Sequence, residues 1–518
     1  MTPEPRTANN LPIALILLLF FVSGALALVY QVVWARMMMH VFGSTAMAVG
    51  TVLAAFMTGM ASGSWIIGKV ADRSPNCLRL YAWLEFGIAL TALFSHFFLS
   101  RIAPAYPAIY EALGSSETLF AVVRFVTAFA LVAIPTFLMG ATLPVLTRFL
   151  VPRGMLVGVN LSTLYAVNTF GAVAGVLMTG FFLIGRYGIH VPVYLAVAGN
   201  TVIGVIAWLA ASRIPDSETV SAPPIGGEIT SEKLAFEVSP ATWRLILAGL
   251  GISGLASFAY EIYWTRSLVF ILGNSTYALS TMLAAFLTGI ALGGYGIRFL
   301  IPRVRDRAAL FGWIQVALGV FSALALPLLF FLADPQSLNR YLLQNADQAY
   351  LLVFGGFGIA FLVMLAPAAL IGSTFPLVGQ IGVKDRQRTG ATVGRIYAVN
   401  TLGNVLGALL PGLILLAWLG IQKGILAMAA LNVALGFTVL FNRLVWQPGQ
   451  LAWRIALPLL VAASVFAMTR APLDFQFPSD GERDYYQTQF YREGPLATTK
   501  VYVNPRNGEK HMSVDGIV

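Results

Sequence analysis

Only 10% of this chain is Asp, Glu, Lys or Arg, so few side chains are available for chemistry. The informative ones lie inside long apolar runs, where burying a charge costs several kcal/mol. Glu85 and Glu261 are the acids placed this way, and Arg124 is a base in the same situation. An acid facing a water-filled cavity between such runs binds a cation or carries a proton. Depth along the runs sorts the polar residues into two layers. The outer candidate substrate-binding layer holds Tyr30, Gln31, Arg36, Arg124, Tyr260, Glu261 and Arg266, and the inner one holds Glu85, Gln315, Tyr165, Asn168, Tyr397 and Asn400. Arg124 is at the depth of Glu261 and is placed to neutralise it. The same residues also admit a purely architectural reading: hydrogen bonds between helices, and arginines that snorkel to the lipid headgroups. His96 reads as a packed, neutral ring. Four scattered histidines and the single Cys77 have no metal-ligand spacing, and no catalytic constellation is visible.

The elements that must position these residues are membrane spans. The chain has 518 residues, 58% of them apolar, and a mean hydropathy of +0.79. Soluble domains carry about 25% charged residues, so a water-facing fold is excluded. Apolar runs long enough to cross a hydrocarbon core of about 30 Å fall at 12–34, 44–68, 80–99, 119–147, 158–184 and 190–210. A second set falls at 245–264, 275–299, 309–333, 350–380, 392–417 and 422–441, with a weaker thirteenth at 451–469. The first run lacks a small-residue cleavage motif and reads as an anchor rather than a removed signal. A lone cysteine excludes a disulfide scaffold. The net charge of +10 does not imply a nucleic-acid partner, because the basic residues sit in short loops between spans. Loops on the N-terminal side (Lys69, Arg73, Arg79; Arg298, Arg303, Arg305, Arg307) are much richer in Lys and Arg than those opposite (Arg36, Arg101, Arg186, Arg266). This bias predicts a cytoplasmic N-terminus.

The chain also repeats itself. SGALALVYQVVWAR (23–36) returns as SGLASFAYEIYWTR (253–266), PTFLMGATLP (135–144) as PAALIGSTFP (367–376), and YAVNTFGAVAG (165–175) as YAVNTLGNVLG (397–407). Each copy holds six spans, an even number, so the copies run in the same sense as parallel repeats. The predicted organisation is a first bundle at 1–211, a cytoplasmic linker at 212–242, a second bundle at 243–442, a thirteenth helix at 443–470 and a separate segment at 471–518. The repeat carries a Glu and a Gln in each half with the assignments exchanged: Gln31 and Glu85 against Glu261 and Gln315. Gly59, Gly63, Gly171 and Gly175, with Gly289, Gly293, Gly403 and Gly407, read as close-packing positions. This plan resembles the major facilitator superfamily, whose loop signature GKVADR (68–73) partly matches, although GIRFLIPR (296–303) lacks the Asp.

The last segment changes character. LATTKVYV (496–503) and KHMSVDG (510–516) are β-forming, and NPRNGE (504–509) between them is turn-rich, which predicts a β-hairpin. With YYQTQFYREGP before it, this tail resembles the N-terminal hairpin of spermidine synthase-like domains. Together with S-G-x(5)-Y-[EQ]-x-x-W-x-R and the LAAF-x-T-G stretch, it makes the chain similar to bacterial fused major facilitator/spermidine synthase-like membrane proteins. The resemblance implies an all-α polytopic fold of two six-helix repeats in the bacterial inner membrane. It also implies a small cationic substrate such as a polyamine, and decarboxylated S-adenosylmethionine as the cofactor of a complete synthase domain. The Gly-rich loop and acidic residues such a domain needs do not follow the hairpin before Val518, so no catalytic residue carries over. The expectation is that the natural chain continues; loss of the catalytic domain is the alternative. Thirteen spans would put the tail outside, twelve inside. The expected function is binding or transport of a polyamine or related amine in association with an aminopropyltransferase-like domain. The alternatives are a membrane-anchored aminopropyltransferase with the bundle as scaffold, or an anchored transferase of altered chemistry.

Overall fold

The computed structural model describes residues 11–42, 46–102, 108, 111, 117–150, 157–213, 238–272, 276–333, 349–443, 486–494 and 498–514. The first half contains α1 (Leu11–Phe42), α2 (Ala46–Arg73), α3 (Cys77–Ile102), α4 (Glu117–Leu150), α5 (Val157–Tyr187) and α6 (His190–Ala211). The second contains α7 (Pro240–Leu272), α8 (Thr276–Leu300), α9 (Arg307–Ala333), α10 (Ala349–Gly382), α11 (Thr389–Leu410) and α12 (Leu416–Arg443). Among the described residues, eleven helical stretches are long and apolar enough to cross a membrane. The last of them, Thr389–Asn442, runs for 54 residues, about 80 Å at 1.5 Å per residue, far more than one crossing needs. It breaks at Gly420 (φ 69°, ψ −171°), which separates the eleventh crossing from the twelfth. The first half turns at the matching Gly188 (φ 72°, ψ −163°). Both backbone conformations are essentially reserved for glycine. A π-helical turn precedes each break, at Met178–Leu183 and at Pro411–Leu415.

The halves are built alike. In the first, α1 packs on α5 and α6, α2 on α4, and α3 on α4 and α6; in the second, α7 packs on α11 and α12, α8 on α10, and α9 on α10 and α12. The paired glycines explain how closely these helices approach. A Cβ at Gly63 would overlap the Phe137 carbonyl, as one at Gly293 would overlap that of Ala369. Gly171 and Gly175 abut the Phe21 and Ala25 carbonyls, and Gly403 and Gly407 those of Gly251 and Leu255. In lipid no hydrophobic effect drives helices together, so van der Waals contact of this kind does the work. The halves meet along α2 with α11 and α5 with α8.

The C-terminal segment is a three-stranded antiparallel sheet in the order β1 (Gln487–Glu493), β2 (Thr498–Val503), β3 (Lys510–Val514). The β2–β3 hairpin closes through residues 504–509, with Gly508 at φ 71°. The expected hairpin is therefore present, but β1 adds a strand that the reading missed. Its charged and polar QTQFYRE sequence, mostly exposed, has little apolar alternation to reveal it. The thirteenth helix at 443–470 and most of the 212–242 linker lie outside the described residues.

Candidate functional site

Helix rotation of about 100° per residue decides what each polar side chain meets. On α1, Tyr30 and Trp34 share a face turned into the first half, where their rings stack at 5.2 Å. Gln31, one residue on, turns into the seam between the halves beside Ser23, Gly24, Ala27 and Leu28. α7 repeats the arrangement: Tyr260 and Trp264 stack at 5.1 Å inside the second half, while Ser253, Ser257 and Glu261 face the seam.

The seam encloses a cavity of about 220 Å³, near the lower end of ordinary ligand-pocket sizes, which run from about 300 Å³ upward. Gln31 and Glu261 line it toward the end of the bundle that holds Arg36 and Arg266. Tyr165, Asn168, Tyr397 and Asn400 line it toward the end that holds Asp72. Six of the expected residues thus line one cavity at two levels, separated by roughly 10 Å from the helical rise between Gly24, which abuts Asn168, and Gln31. Phe375 bridges the lower level, with its ring 5.3 Å from Tyr165 and 5.6 Å from Tyr397. Among the described lining residues Glu261 is the one acid, and none is Lys, Arg or His. The Asn168 Oδ1 atom is buried without a hydrogen-bond partner among the described residues.

Six of the expected site residues lie elsewhere: Arg36 and Arg266, at the end of the bundle beyond Gln31 and Glu261, and four within the halves. Tyr30, Glu85, Tyr260 and Gln315 are buried within their own halves and do not line the cavity. In the first half Ser23 Oγ donates to Glu85 Oε1 at 2.6 Å, Asn200 Nδ2 to Glu85 Oε2 at 2.5 Å, and the Tyr30 hydroxyl to Asn200 Oδ1 at 3.0 Å. In the second half Gln315 Nε2 donates to Ser253 Oγ at 3.1 Å, Asn432 Nδ2 to Gln315 Oε1 at 2.8 Å, and the Tyr260 hydroxyl to Asn432 Oδ1 at 3.1 Å. Asn200 and Asn432 were not singled out from the sequence. Their signal was an amide at matched places in the sixth and twelfth spans (AGNTVIG and ALNVALG). The Arg124 side chain lies outside the described residues. His96 packs against a second histidine, its Nε2 2.9 Å from Nδ1 of His190 at the start of α6.

The two ends of the bundle differ. At the Asp72 end the halves are clasped. Asp72 Oδ1 and Oδ2 accept from the Gly390 and Ala391 backbone N–H groups at 2.7 and 2.8 Å. A carboxylate there is favoured by the unpaired N–H groups and positive dipole at the start of α11. Arg148 Nε is 3.8 Å from the same carboxylate. Gly68 lets α2 press on Gly390, and Ser64 Oγ donates to the Gly394 carbonyl at 2.8 Å. The Gly and Asp of GKVADR are thus an interhelix contact and a helix cap. The second half, lacking that Asp, holds the start of α5 through Gln380 Oε1, which accepts from Gly158 N at 2.6 Å. At the opposite end the sheet docks: Arg266 Nη2 donates to the Gly494 carbonyl at 2.9 Å, and Ile421 N donates to Glu493 Oε2 at 2.5 Å. These contacts are to the second half, beside the Gly420 break.

This architecture recurs in solved transporters. The chain superposes on a human organic anion transporter with a TM-score of 0.52 at 12% identity, covering 84% of this chain and all of the other. It superposes on a bacterial homologue of the iron transporter ferroportin, in its outward-facing state, with a TM-score of 0.51 at 12% identity, covering 89% of this chain and all of the other. The E. coli fucose:proton symporter gives 0.50 at 15% identity, over 84% of this chain and 99% of its own. The chain has the major facilitator fold. No family model matches it. Among curated proteins, this facilitator-fold chain is 26% identical over 258 residues to polyamine aminopropyltransferase 2 of Streptomyces coelicolor, covering 48% of this chain and 44% of that one. It is 23% identical over 287 residues to the polyamine aminopropyltransferase of Corynebacterium efficiens, covering 53% and 50%. The chain thus spans about half the length of the curated relatives it matches. Both parts of the sequence resemblance, facilitator and spermidine synthase-like, therefore have counterparts among known proteins.

Proposed function

We propose that the bundle binds, and by alternating access transports, a polyamine or related amine, with its N-terminus in the cytoplasm of a bacterial inner membrane. The observation that carries this reading is Glu261, a carboxylate in the wall of the inter-half cavity with no cation among the described residues lining it. A carboxylate in that setting is best compensated by a positively charged ligand. The lower level supports the same chemistry, since Tyr165, Phe375 and Tyr397 present aromatic faces of the kind that attract an ammonium group. An amine with charge at one end and methylenes or a second amine at the other would meet Glu261 above and the three rings below. The names of the curated relatives point to the same substrate class.

A second reading is favoured by the docked sheet: the bundle as a scaffold that holds an aminopropyltransferase-like domain against the Arg266 end. Decarboxylated S-adenosylmethionine would be the cofactor of that domain. Among the described residues the sheet offers no glycine-rich cradle for it. Thermal unfolding of the purified chain with putrescine or spermidine separates the two readings. A ligand at about 100 times its Kd stabilises by about 2.7 kcal/mol. The transport reading expects that stabilisation in the wild type and its loss in Glu261→Gln. No stabilisation by either amine, or equal stabilisation of both proteins, would leave the scaffold reading in its place.

A further inference from the structure

Glu85 takes no part in the cavity wall, and the duplication supplies its own control for what this residue does. The two buried networks share one arrangement: a serine on the first helix of the half, an acid or its amide on the third, and an asparagine on the sixth. In the second half the amide is neutral, so Gln315 Nε2 must donate and Ser253 Oγ must accept. In the first half the serine hydroxyl has a choice. It donates to Glu85 Oε1 when the carboxyl is ionised, and by rotating it accepts from the carboxyl when that is protonated, as Ser253 accepts from Gln315. Asn200 Nδ2 donates to Oε2 in both states. Glu85 therefore keeps Ser23 and Asn200 as partners in both protonation states without moving a heavy atom.

A route exists as well. Ser23 belongs at once to this network and to the cavity wall, whereas Glu85 is itself fully buried. A proton from cavity water passes to Ser23 Oγ as the hydroxyl proton of Ser23 passes to Glu85 Oε1, 2.6 Å away; release runs in reverse, and nothing is oxidised or reduced. The titratable groups facing Glu85 are two phenols, Tyr30 on α1 and Tyr81 on its own helix. Among the described residues of α1, α4 and α6, the helices packed against α3, no charged side chain acts on it.

We propose that Glu85 is a proton-binding site, loaded from the central cavity through Ser23 and separate from the cavity acid Glu261. The proposal stands independently of which solute the cavity takes. Infrared spectroscopy of the purified full chain in lipid nanodiscs tests it, by following the C=O stretch of protonated carboxyl groups against pH. The expected result is a titrating band that persists in Glu261→Gln and disappears in Glu85→Gln. Ser23→Ala keeps the band but slows its shift on transfer to deuterated water, and Gln315→Glu adds a second one. A band unchanged by Glu85→Gln, or none that titrates while the protein stays folded, overturns the site. Failure of Glu85→Gln to fold also counts against it, because the Gln315 network shows that a neutral amide suffices there. Exchange as fast in Ser23→Ala as in the wild type overturns the route.

Discussion

Asn200 and Asn432 each bridge a tyrosine on the first helix of their half to an acid or amide on the third, and they differ in what their loss exposes. Replacing Asn432 by Leu orphans a neutral amide oxygen and a phenol. Replacing Asn200 by Leu removes a donor from a carboxylate. Leaving a buried polar group unpaired costs about 1–3 kcal/mol, and more if it is charged. Interhelical hydrogen bonds in lipid average only about 0.6 kcal/mol, which places both losses toward the low end. Asn200→Leu is expected to lower the thermal unfolding midpoint more than Asn432→Leu, with the difference shrinking as pH falls and Glu85 becomes neutral. Equal losses at every pH would contradict a Glu85 that ionises. The residue scale is also where the sequence was least legible. It marked Glu85 and Glu261 as equally exceptional, because both are acids in apolar runs. What separates them is rotation: Glu85 points into a three-helix network and Glu261 into the seam. That rotation follows from which helices pack on α3 and α7, information that single-span patterning does not contain.

Elements were far easier to read. Their length and apolar character fix the spans, and the duplicated glycines anticipated the close contacts of α2 with α4 and α8 with α10. The breaks at Gly188 and Gly420 were less visible, because a glycine within an apolar run has several uses. The docked sheet contacts the second of these breaks, and a Cβ at Gly420 would strike Glu493, while one at Gly188 meets nothing within 4 Å among the described residues. Backbone in this glycine-only region costs other residues about 1–3 kcal/mol. Gly188→Ala is therefore expected to lower stability through strain alone. Gly420→Ala adds the clash and loosens the sheet, so a spin label at Arg506 gains mobility only in the Gly420 variant. Equal label mobility in the two variants would mean that the Glu493 contact does not hold the sheet. Strand β1 escaped the sequence reading because its stability comes from pairing with β2, not from a pattern of its own.

For the molecule as a whole, alternating access requires the clasp at the Asp72 end to part while the halves stay intact. A Cβ at Gly394 would overlap the Ser64 carbonyl, so Gly394→Ala is expected to wedge α2 and α11 apart at the clasp and to slow amine movement across proteoliposomes. Transport at the wild-type rate in this variant would mean that the clasp does not have to close. The parallel duplication made this architecture legible from sequence. The direction of the tail was not, since it depended on one weak span. Asn442 bonds Thr242 at the start of α7, whereas Glu493 docks beside Gly420 at the opposite end.

Arg266 and Ile421 both belong to the second half, so these contacts fasten the sheet to that half. Rocking of the halves would then swing whatever follows β3 like a hand on a wrist, so that an event inside the bilayer is displayed at the water's edge. A fluorophore on β3 paired with one on the first half would read that gesture directly.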